Sequence, residues 1–326
     1  MTREFDFERP IVELEKRLND LRALSEDGQI DLSKEIKAID DKIGIMKAEI
    51  FRTLEPWQVI QIARNIDRPS TLDYVKILFE DSFLELHGDR LFGDDPAMVT
   101  GFARIGNHLV AVIGHQKGHD TEENLYRNFG MPHPEGYRKA LRIMKMAERF
   151  RKPVIVFIDT PGAFPGIGAE ERGQSEAIAR NLCEMSRISV PILCFVIGEG
   201  GSGGALAIGI GDKIFMLEYS IYSVITSEGC AAILWKDASR SKEAAGALRI
   251  RAQDLLEFGV IDRVLPEPIG GAHRDPAAAA ATIKAAILDT LPTLLEVAPD
   301  DLLAIRYAKF RGMGRYKIER DADNVE

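Results

Sequence analysis

Cysteine and histidine are scarce in this sequence of 326 residues, which holds three cysteines and six histidines. The cysteines are Cys183, Cys194 and Cys230. They are odd in number and show no C-x-x-C spacing, so we expect buried, reduced thiols rather than disulfides or a zinc site. His115 and His119 stand four positions apart, but the glycines of the segment GHQKGHD discourage the helix that would align their rings. We therefore expect no metal in this chain.

Long hydrophobic runs and an excess of basic residues are also missing. The longest apolar runs, such as ILCFVI, have the length of a strand, and the start MTREFDFERP lacks the apolar region of a signal peptide. A formal net charge of -9 argues against a general nucleic-acid-binding surface, which would be basic. We expect a cytoplasmic protein without a transmembrane span or a membrane partner, and the charge disfavours nucleic acid as a partner.

Residues 10–52 show helical periodicity. Apolar residues step by three and four along two stretches that are separated by the turn-like segment EDGQID. They are Ile11, Leu14, Leu18 and Leu21 in the first stretch, and Ile36, Ile39, Ile43, Met46 and Ile50 in the second. The pattern predicts an N-terminal helical hairpin within residues 1–52, which either packs on its own domain or serves as a partner-binding arm.

From about Ala97 onward, short β-branched segments alternate with helical ones. AMVTGFARI and NHLVAVIGH predict a hairpin, and PVIVFIDT, PILCFVIG, KIFMLEYS and YSVITS predict further strands. Helices are predicted at 136–150 and 170–187, which gives an α/β class with a mixed sheet. PVIVFIDTPGA aligns with PILCFVIGEGG at a period of 38. We expect similar strand–turn units to stack and ligands to bind at their equivalent strand ends.

The C-terminal part is predicted to be largely helical. The segment SKEAAGALRIRAQDLLEF predicts a helix that Gly259 ends, and VIDRVL predicts a strand. After a Gly/Pro-rich linker, Asp275 and Pro276 open an alanine-rich helix. The last helix carries the basic segment RYAKFRGMGRYK, which we interpret as a solvated face.

The segment VIGEGGSGGALAIG fits three active-site patterns. Gly198, Gly200 and Gly203 match the G-x-G-x-x-G of a dinucleotide-binding turn, and Glu218 stands 20 positions after the first of them. This interpretation is poorly supported, because only about ten residues separate the last glycine from the next predicted strand and leave no room for the usual helix.

Two further patterns overlap the same glycines. Gly200, Ser202 and Gly204 match the G-x-S-x-G of a hydrolase nucleophile elbow, but His273 is the only later histidine and lies in the Gly/Pro linker. The third pattern needs no side chain, because Gly203 and Gly204 let backbone N–H groups approach a developing oxyanion at a helix start. We favour this oxyanion hole. The alternative is that the glycines only allow tight helix–sheet packing.

Three segments, IDTPGAFPGIGAEERGQSEAIARNL, GEGGSGGALAIG and EGCAAILWKD, closely resemble the α subunit of bacterial acetyl-coenzyme A carboxylase carboxyltransferase, a crotonase-like protein. The resemblance also takes in ELHGDRLFGDDPAMV and PHPEGYRKALRIMKMAERF and extends to about Pro292. It implies an α/β, crotonase-like (ClpP/crotonase) spiral of ββα units over residues 53–296. Residues 297–326 would then form a C-terminal helix and an acidic tail.

The resemblance implies an enzyme that moves CO2 from carboxybiotin to acetyl-coenzyme A and so forms malonyl-coenzyme A, the first committed step of fatty acid biosynthesis. Biotin would be covalently held on a biotin carboxyl carrier protein. The other implied partners are a zinc-ribbon carboxyltransferase β subunit, in an α2β2 heterotetramer, and biotin carboxylase. Two alternatives stay open, a non-catalytic crotonase-like scaffold and an NAD-binding oxidoreductase.

The resemblance also implies roles for individual residues. The N–H groups of Gly203 and Gly204 would hold the ureido oxygen of biotin, and a matching turn of the β subunit would hold the thioester oxygen. The residues expected to line the same cleft are Gly200, Gly201, Ala205, Thr160, Pro161, Gly162 and Ala163. No protein general base is compulsory in such a reaction, which needs two preorganised oxyanion holes.

Overall fold

The computed structural model of the chain describes residues 5–26 and 32–314. The helices are α1 (Arg9–Glu26), α2 (Ser33–Arg52), α3 (Pro56–Ala63), α4 (Thr71–Phe79), α5 (Thr121–Tyr126), α6 (Pro134–Arg149), α7 (Ile167–Glu171), α8 (Gln174–Met185), α9 (Ser202–Leu206), α10 (Ser227–Trp235), α11 (Ser241–Leu248), α12 (Ala252–Glu257), α13 (Pro276–Leu295) and α14 (Pro299–Arg311). The strands are β1 (Leu84–Glu85), β2 (Met98–Ile105), β3 (His108–His115), β4 (Val154–Thr160), β5 (Ile192–Gly201), β6 (Lys213–Leu217), β7 (Ile221–Ser223) and β8 (Arg263–Leu265). The predicted acidic tail lies outside the described residues.

The eight strands form one mixed sheet in the order β1-β2-β3-β4-β5-β6-β8, and β7 pairs with the end of β5. β2 is antiparallel to both of its neighbours, β1 and β3, whereas β3 to β6 and β8 run parallel. β2 and β3 form the predicted hairpin, in which Ile105 pairs with His108 and Gly106 adopts a positive φ in the turn. The predicted α/β class with a mixed sheet is confirmed.

The parallel strands are covered on both faces, which explains their nearly continuous apolar sequences. Along β4, Val154, Val156 and Ile158 belong to one hydrophobic core, and Ile155 and Phe157 belong to a second core on the opposite face. α6 and α8 contribute to the first core, and α4 and α13 contribute to the second. The sheet is therefore a middle layer whose strand ends remain open to a ligand at one edge.

α13 is the alanine-rich helix that the sequence predicts. Pro276 is its first residue, and the side chain of Asp275 accepts a hydrogen bond from the N–H of Ala278, so the predicted start is confirmed. Within the described part of the chain, this is the one helix that is long and apolar enough to cross a membrane. Core helices pass the same test, and α13 buries one side in the second core.

The predicted N-terminal hairpin is confirmed as α1 and α2. Ile11, Leu18 and Ile43 from its apolar seam are buried in a core that also contains Phe51 and, from the body of the chain, Tyr219. The rings of Phe51 and Tyr219 lie 6.0 Å apart. These three residues are covered within this chain, and the other six residues of the seam are partly exposed.

Several local predictions are wrong. Within 170–187, Gly173 adopts a left-handed conformation with φ 83° and separates α7 from α8. Before Gly259, Arg249 has φ 49° and separates α11 from α12, where one continuous helix was expected. A single left-handed residue thus interrupts a helical run that periodicity alone extends. Cys183 is exposed, whereas the other two cysteines are buried as expected.

α14 also corrects the expectation of a solvated basic face. Arg306 is 1% exposed, and its guanidinium forms an ion pair with Asp212 at 2.7 Å. It also donates hydrogen bonds to the carbonyl oxygens of Met185, Ile188 and Val190. The first part of the basic segment therefore anchors α14 to the sheet, and residues 315–317 of that segment lie outside the described residues.

Candidate active site

Two turns of the chain lie side by side at the carboxyl ends of β4 and β5. Val154 pairs with Ile192 and the same offset holds along both strands, which confirms the sequence period of 38. A β-bulge follows, and beyond it Thr160 pairs with Gly200. The offset between paired residues of the two turns is therefore two positions larger than the sequence period of 38. The structure thus brings the predicted site residues of both repeat units together, in the segments 160–163 and 200–205.

The first turn, residues 160–163, and the second turn, residues 200–205, touch each other through backbone atoms. A Cβ atom added at Gly204 would lie 2.6 Å from the nitrogen of Ala163 and 2.8 Å from the oxygen of Gly162. A Cβ atom added at Gly201 would lie 2.9 Å from the Cα of Pro161 and closer still to its carbonyl group. Real Cβ atoms essentially never approach other atoms under 3.0 Å, so packing against the first turn requires glycine at both positions.

Gly203 differs from these two glycines, because the backbone around it leaves room for a side chain. The nearest atoms to a Cβ added there belong to Ile178, at 3.7 and 3.8 Å, which is ordinary contact. Gly203 and Gly204 lie in the first turn of α9, where N–H groups have no intrahelical partner, and the N-cap residue supplies no side-chain cap. They are therefore donors that a ligand oxygen could satisfy.

The predicted site residues fall into two groups. Five are buried: Thr160, Gly200, Gly201, Gly204 and Ala205. Four are partly exposed: Pro161, Gly162, Ala163 and Gly203. The hydroxyl of Thr160 accepts the N–H of Gly162 at 3.1 Å and donates to the oxygen of the same residue at 2.7 Å. Thr160 therefore fixes the shape of the first turn, and the second group forms the more exposed edge of the two turns.

The geometry does not support the dinucleotide-binding or the hydrolase interpretation. α9 has five residues, far fewer than the helix that follows a dinucleotide-binding turn. The carboxylate of Glu218 accepts the N–H of Glu267 at 3.3 Å and so serves the fold locally. The ring of His273 packs edge-on against Phe5, and neither of its nitrogens has a hydrogen-bond partner, so it does not activate Ser202.

Charged side chains that the sequence analysis missed lie directly behind the turns. The Nζ of Lys117 is 2.7 Å from Asp159 and 3.5 Å from Glu199, and the guanidinium of Arg64 is 2.6 Å from Glu199. With Pro161, they line a cavity of about 280 Å³. The sequence did offer a signal for the two acids. Asp159 and Glu199 each stand at the end of an apolar strand, which is where ligands bind in parallel sheets.

His115 supports the first turn as a neutral side chain. Burial lowers the pKa of His115 to about 3, and the backbone of Gly204 acts in the opposite direction. Its Nδ1 accepts the N–H of Asp159 at 3.3 Å. Across residues 5–26 and 32–314, no three His, Cys, Asp or Glu side chains are grouped as a metal would require.

An apolar groove of about 360 Å³ begins on the other side of the second turn, at Ser202. Its larger lining residues include Leu206, Tyr222, Val224, Phe258 and Phe310. A concave apolar surface beside a few convergent polar donors is typical of a small-molecule site. The ridge formed by the two turns thus separates a charged cavity from an apolar groove.

Solved structures define the class of fold. A transcarboxylase 12S structure with methylmalonyl-coenzyme A bound has a TM-score of 0.55 and 18% identity, over 81% of this chain and 46% of that one. A Pseudomonas malonate decarboxylase hetero-tetramer in complex with coenzyme A has a TM-score of 0.58 and 17% identity, over 73% and 92%. The fold is the crotonase-like α/β fold of such proteins, as predicted.

The sequence comparison defines the family. The family model described as acetyl co-enzyme A carboxylase carboxyltransferase-like matches residues 4–314. The acetyl-coenzyme A carboxylase carboxyl transferase subunit alpha of Halalkalibacterium halodurans is 54% identical over 325 residues, which is 100% of both chains. That of Geobacter metallireducens is 55% identical, over 96% of this chain and 98% of its own. The chain belongs to this family of carboxyl transferase alpha subunits, which confirms the predicted function in acetyl-coenzyme A carboxylase.

Proposed function

We propose that this chain supplies one of two oxyanion holes for the transfer of CO2 from carboxybiotin to acetyl-coenzyme A, which forms malonyl-coenzyme A. One observation carries the proposal: the first turn of α9 has uncapped N–H groups at Gly203 and Gly204, and packing leaves open space at Gly203. Preorganised backbone donors of this kind stabilise an oxygen that gains negative charge during a reaction.

The surroundings of the second turn suit biotin. Its ureido oxygen would accept hydrogen bonds from Gly203 and Gly204, and the apolar groove that begins at Ser202 would take its largely uncharged rings. Carboxybiotin, held covalently on a carrier protein, would supply the CO2 and a basic ureido group for the proton of acetyl-coenzyme A. Pro161 and Ala163, at the partly exposed edge of the first turn, would line the same cleft.

The role of this chain is electrostatic, because the ionisable groups nearest the turns are already engaged. Asp159 and Glu199 are paired with Lys117 and Arg64, and His115 is buried and neutral. None of them is free to act as a general base. The backbone donors remain as the groups that this chain can offer to the reacting atoms.

We infer that the second hole comes from a carboxyltransferase β subunit with a zinc ribbon, in a cytoplasmic α2β2 heterotetramer. The alternative source of the second hole is the first turn. There the N–H of Gly162 already donates a hydrogen bond to the hydroxyl of Thr160, so one possible donor is lost. The relatives are named as alpha subunits, which supports an enzyme of several subunits. Biotin carboxyl carrier protein and biotin carboxylase would complete it.

Reconstitution tests the shared site. We expect the purified chain to be folded and to form no acetyl-coenzyme A from malonyl-coenzyme A and free biotin until the β subunit is added. Circular dichroism checks folding in the same samples. Turnover by this chain alone would show that both holes lie within it and would overturn the shared-site proposal.

A pair of variants tests the hole itself in the reconstituted enzyme. Gly203→Pro removes one N–H, and a proline is tolerated in the first turn of a helix. Loss of one oxyanion donor lowers kcat by roughly 10²–10³-fold in other enzymes, and we expect a loss of this size. Gly203→Ala keeps the N–H and has room for its Cβ, so it serves as the matched control. Near-normal kcat in Gly203→Pro would place the hole elsewhere.

A further inference from the structure

Lys117 bridges the two carboxylates that stand immediately before the two turns. It follows β3, and its Nζ lies 2.7 Å from Oδ1 of Asp159 and 3.5 Å from Oε2 of Glu199. Asp159 directly precedes Thr160 of the first turn, and Glu199 directly precedes Gly200 of the second. One cation therefore contacts both strand ends at the point where they leave the sheet.

The two acids are fixed by further contacts. Oδ1 of Asp159 also accepts the backbone N–H of Glu199 at 2.9 Å, which links the two strands directly. A Cβ at Gly198 would lie 2.9 Å from Cγ of Asp159, so glycine is required for this approach. The other carboxylate oxygen of Glu199 accepts a hydrogen bond from Arg64, which also donates a hydrogen bond to Glu228 of α10 at 2.9 Å. The network thus ties the turns to the neighbouring helices.

The positive charge of Lys117 compensates the negative charges of two largely buried carboxylates. The side chains of Asp159 and Glu199 are 7% and 8% exposed, and that of Lys117 is 21% exposed. Burial lowers the pKa of Lys117, but the two carboxylates outweigh this effect and raise its pKa above the usual value. Without this cation, Asp159 would be left as a buried carboxylate with no ion-pair partner, a strongly unfavourable arrangement.

We propose that Lys117 is a positioning residue, which fixes the separation of the two turns and so holds the N–H groups of Gly203 and Gly204 at the distance an oxyanion requires. The inference rests on the proposed function of these glycines. The turns meet through backbone atoms, without interlocking side chains at Gly201 and Gly204. Their spacing therefore depends on the hydrogen bonds and ion pairs behind them.

Removal of the lysine side-chain charge gives a measurable expectation. Donors must lie about 2.7–3.1 Å from the oxyanion, and a misplacement of about 1 Å costs up to ~10²-fold in rate. In the enzyme reconstituted with its β subunit, we expect Lys117→Met to lower kcat by about 10–100-fold, with KM for malonyl-coenzyme A changed less than about threefold. Lys117→Arg keeps the charge and should restore most of the lost kcat.

Lys309 offers a matched control at the opposite end of the sheet. Its side chain is 16% exposed, pairs with Asp262 and donates to the carbonyl oxygen of Asp212, near the starts of β5 and β6. Lys309→Met removes a lysine of similar burial from the carboxylate of Asp262, away from the two turns. We expect it to lower the melting temperature without the loss of kcat seen in Lys117→Met.

The outcomes separate the inference from the function on which it rests. Reduced kcat in Lys117→Met, rescue by arginine and normal kcat in Lys309→Met support the positioning role. Lys117→Met with kcat within threefold of the wild type overturns it, as does an equal loss of kcat in the control. If Gly203→Pro is inactive while Lys117→Met is fully active, the positioning role fails alone. If Gly203→Pro is fully active, the proposed hole fails first.

Discussion

Gly204→Ala should lower kcat by moving one turn away from the other. The added Cβ would lie 2.6 Å from the nitrogen of Ala163, and ordinary contact begins at 3.4 Å, so the turns must separate by about 0.8 Å. The clashing atoms belong to the backbone of the first turn and cannot rotate away as a flexible side chain would. Overpacking of this kind costs about 1–3 kcal/mol of stability.

The effect on catalysis should exceed the effect on folding. A shift close to 1 Å in the oxyanion donors corresponds to a loss of up to about 10²-fold in kcat, whereas a protein of ordinary stability survives a loss of 1–3 kcal/mol. The assay is steady-state turnover of malonyl-coenzyme A by the reconstituted enzyme, with urea unfolding of the same variant. Gly203→Ala is the control, because its Cβ meets only Ile178 at 3.7 Å.

Two results would refute this reasoning. One is a Gly204→Ala enzyme with kcat within threefold of the wild type, since the turns would then tolerate the displacement. The other is greater destabilisation by Gly203→Ala than by Gly204→Ala, which would contradict the packing difference between the two glycines. Gly204→Val, with a larger side chain at the same place, would disrupt the fold as well and is the poorer test.

Three further predictions concern other parts of the chain. Ser202 has φ 50°, so Ser202→Gly should relieve roughly 1 kcal/mol of backbone strain and raise the melting temperature with little change in kcat; a large loss would revive a nucleophilic serine. Arg306→Met should cost about 3–5 kcal/mol in urea unfolding, because it leaves Asp212 buried without its partner; a cost under 1 kcal/mol would contradict the anchoring of α14. A hydrogen bond to Asp73 at 2.8 Å raises the pKa of His119 to about 9. This stabilising contribution is complete below the ordinary histidine pKa of about 6.5 and is lost as the pH rises through about 9. Melting temperatures of the wild type should therefore fall between about pH 7 and pH 9 more than those of His119→Gln, and parallel curves would contradict the pairing.

Local sequence patterns predicted the elements whose causes are local. The start of α13 was predictable, because an aspartate N-cap followed by proline satisfies and pre-shapes the first helical turn. The strands β4 and β5 were predictable because both faces of a parallel strand are buried and their sequences are continuously apolar. The same repetition indicated that their ends would carry the site, and the structure places segments 160–163 and 200–205 side by side.

The features that sequence analysis missed depend on contacts between distant residues. Lys117 meets Asp159 across 42 positions, and Arg306 meets Asp212 across 94 positions. Sequence periodicity does not indicate that these distant residues pair. A basic helix end also predicts solvent exposure, unless a buried acid is known to face it. The bulge that shifts the two turns by two positions is also invisible in the aligned segments, since it changes backbone pairing rather than composition.

Packing and catalysis act at different positions of the second turn. At Gly201 and Gly204 a side chain would strike the backbone of the first turn, so packing alone accounts for glycine there. At Gly203 no backbone atom stands in the way, and packing gives no reason to exclude alanine. What the reaction uses at Gly203 is its unpaired N–H in the first turn of α9, a donor that alanine would retain. The backbone of Gly203 is therefore the group that most directly indicates the reaction.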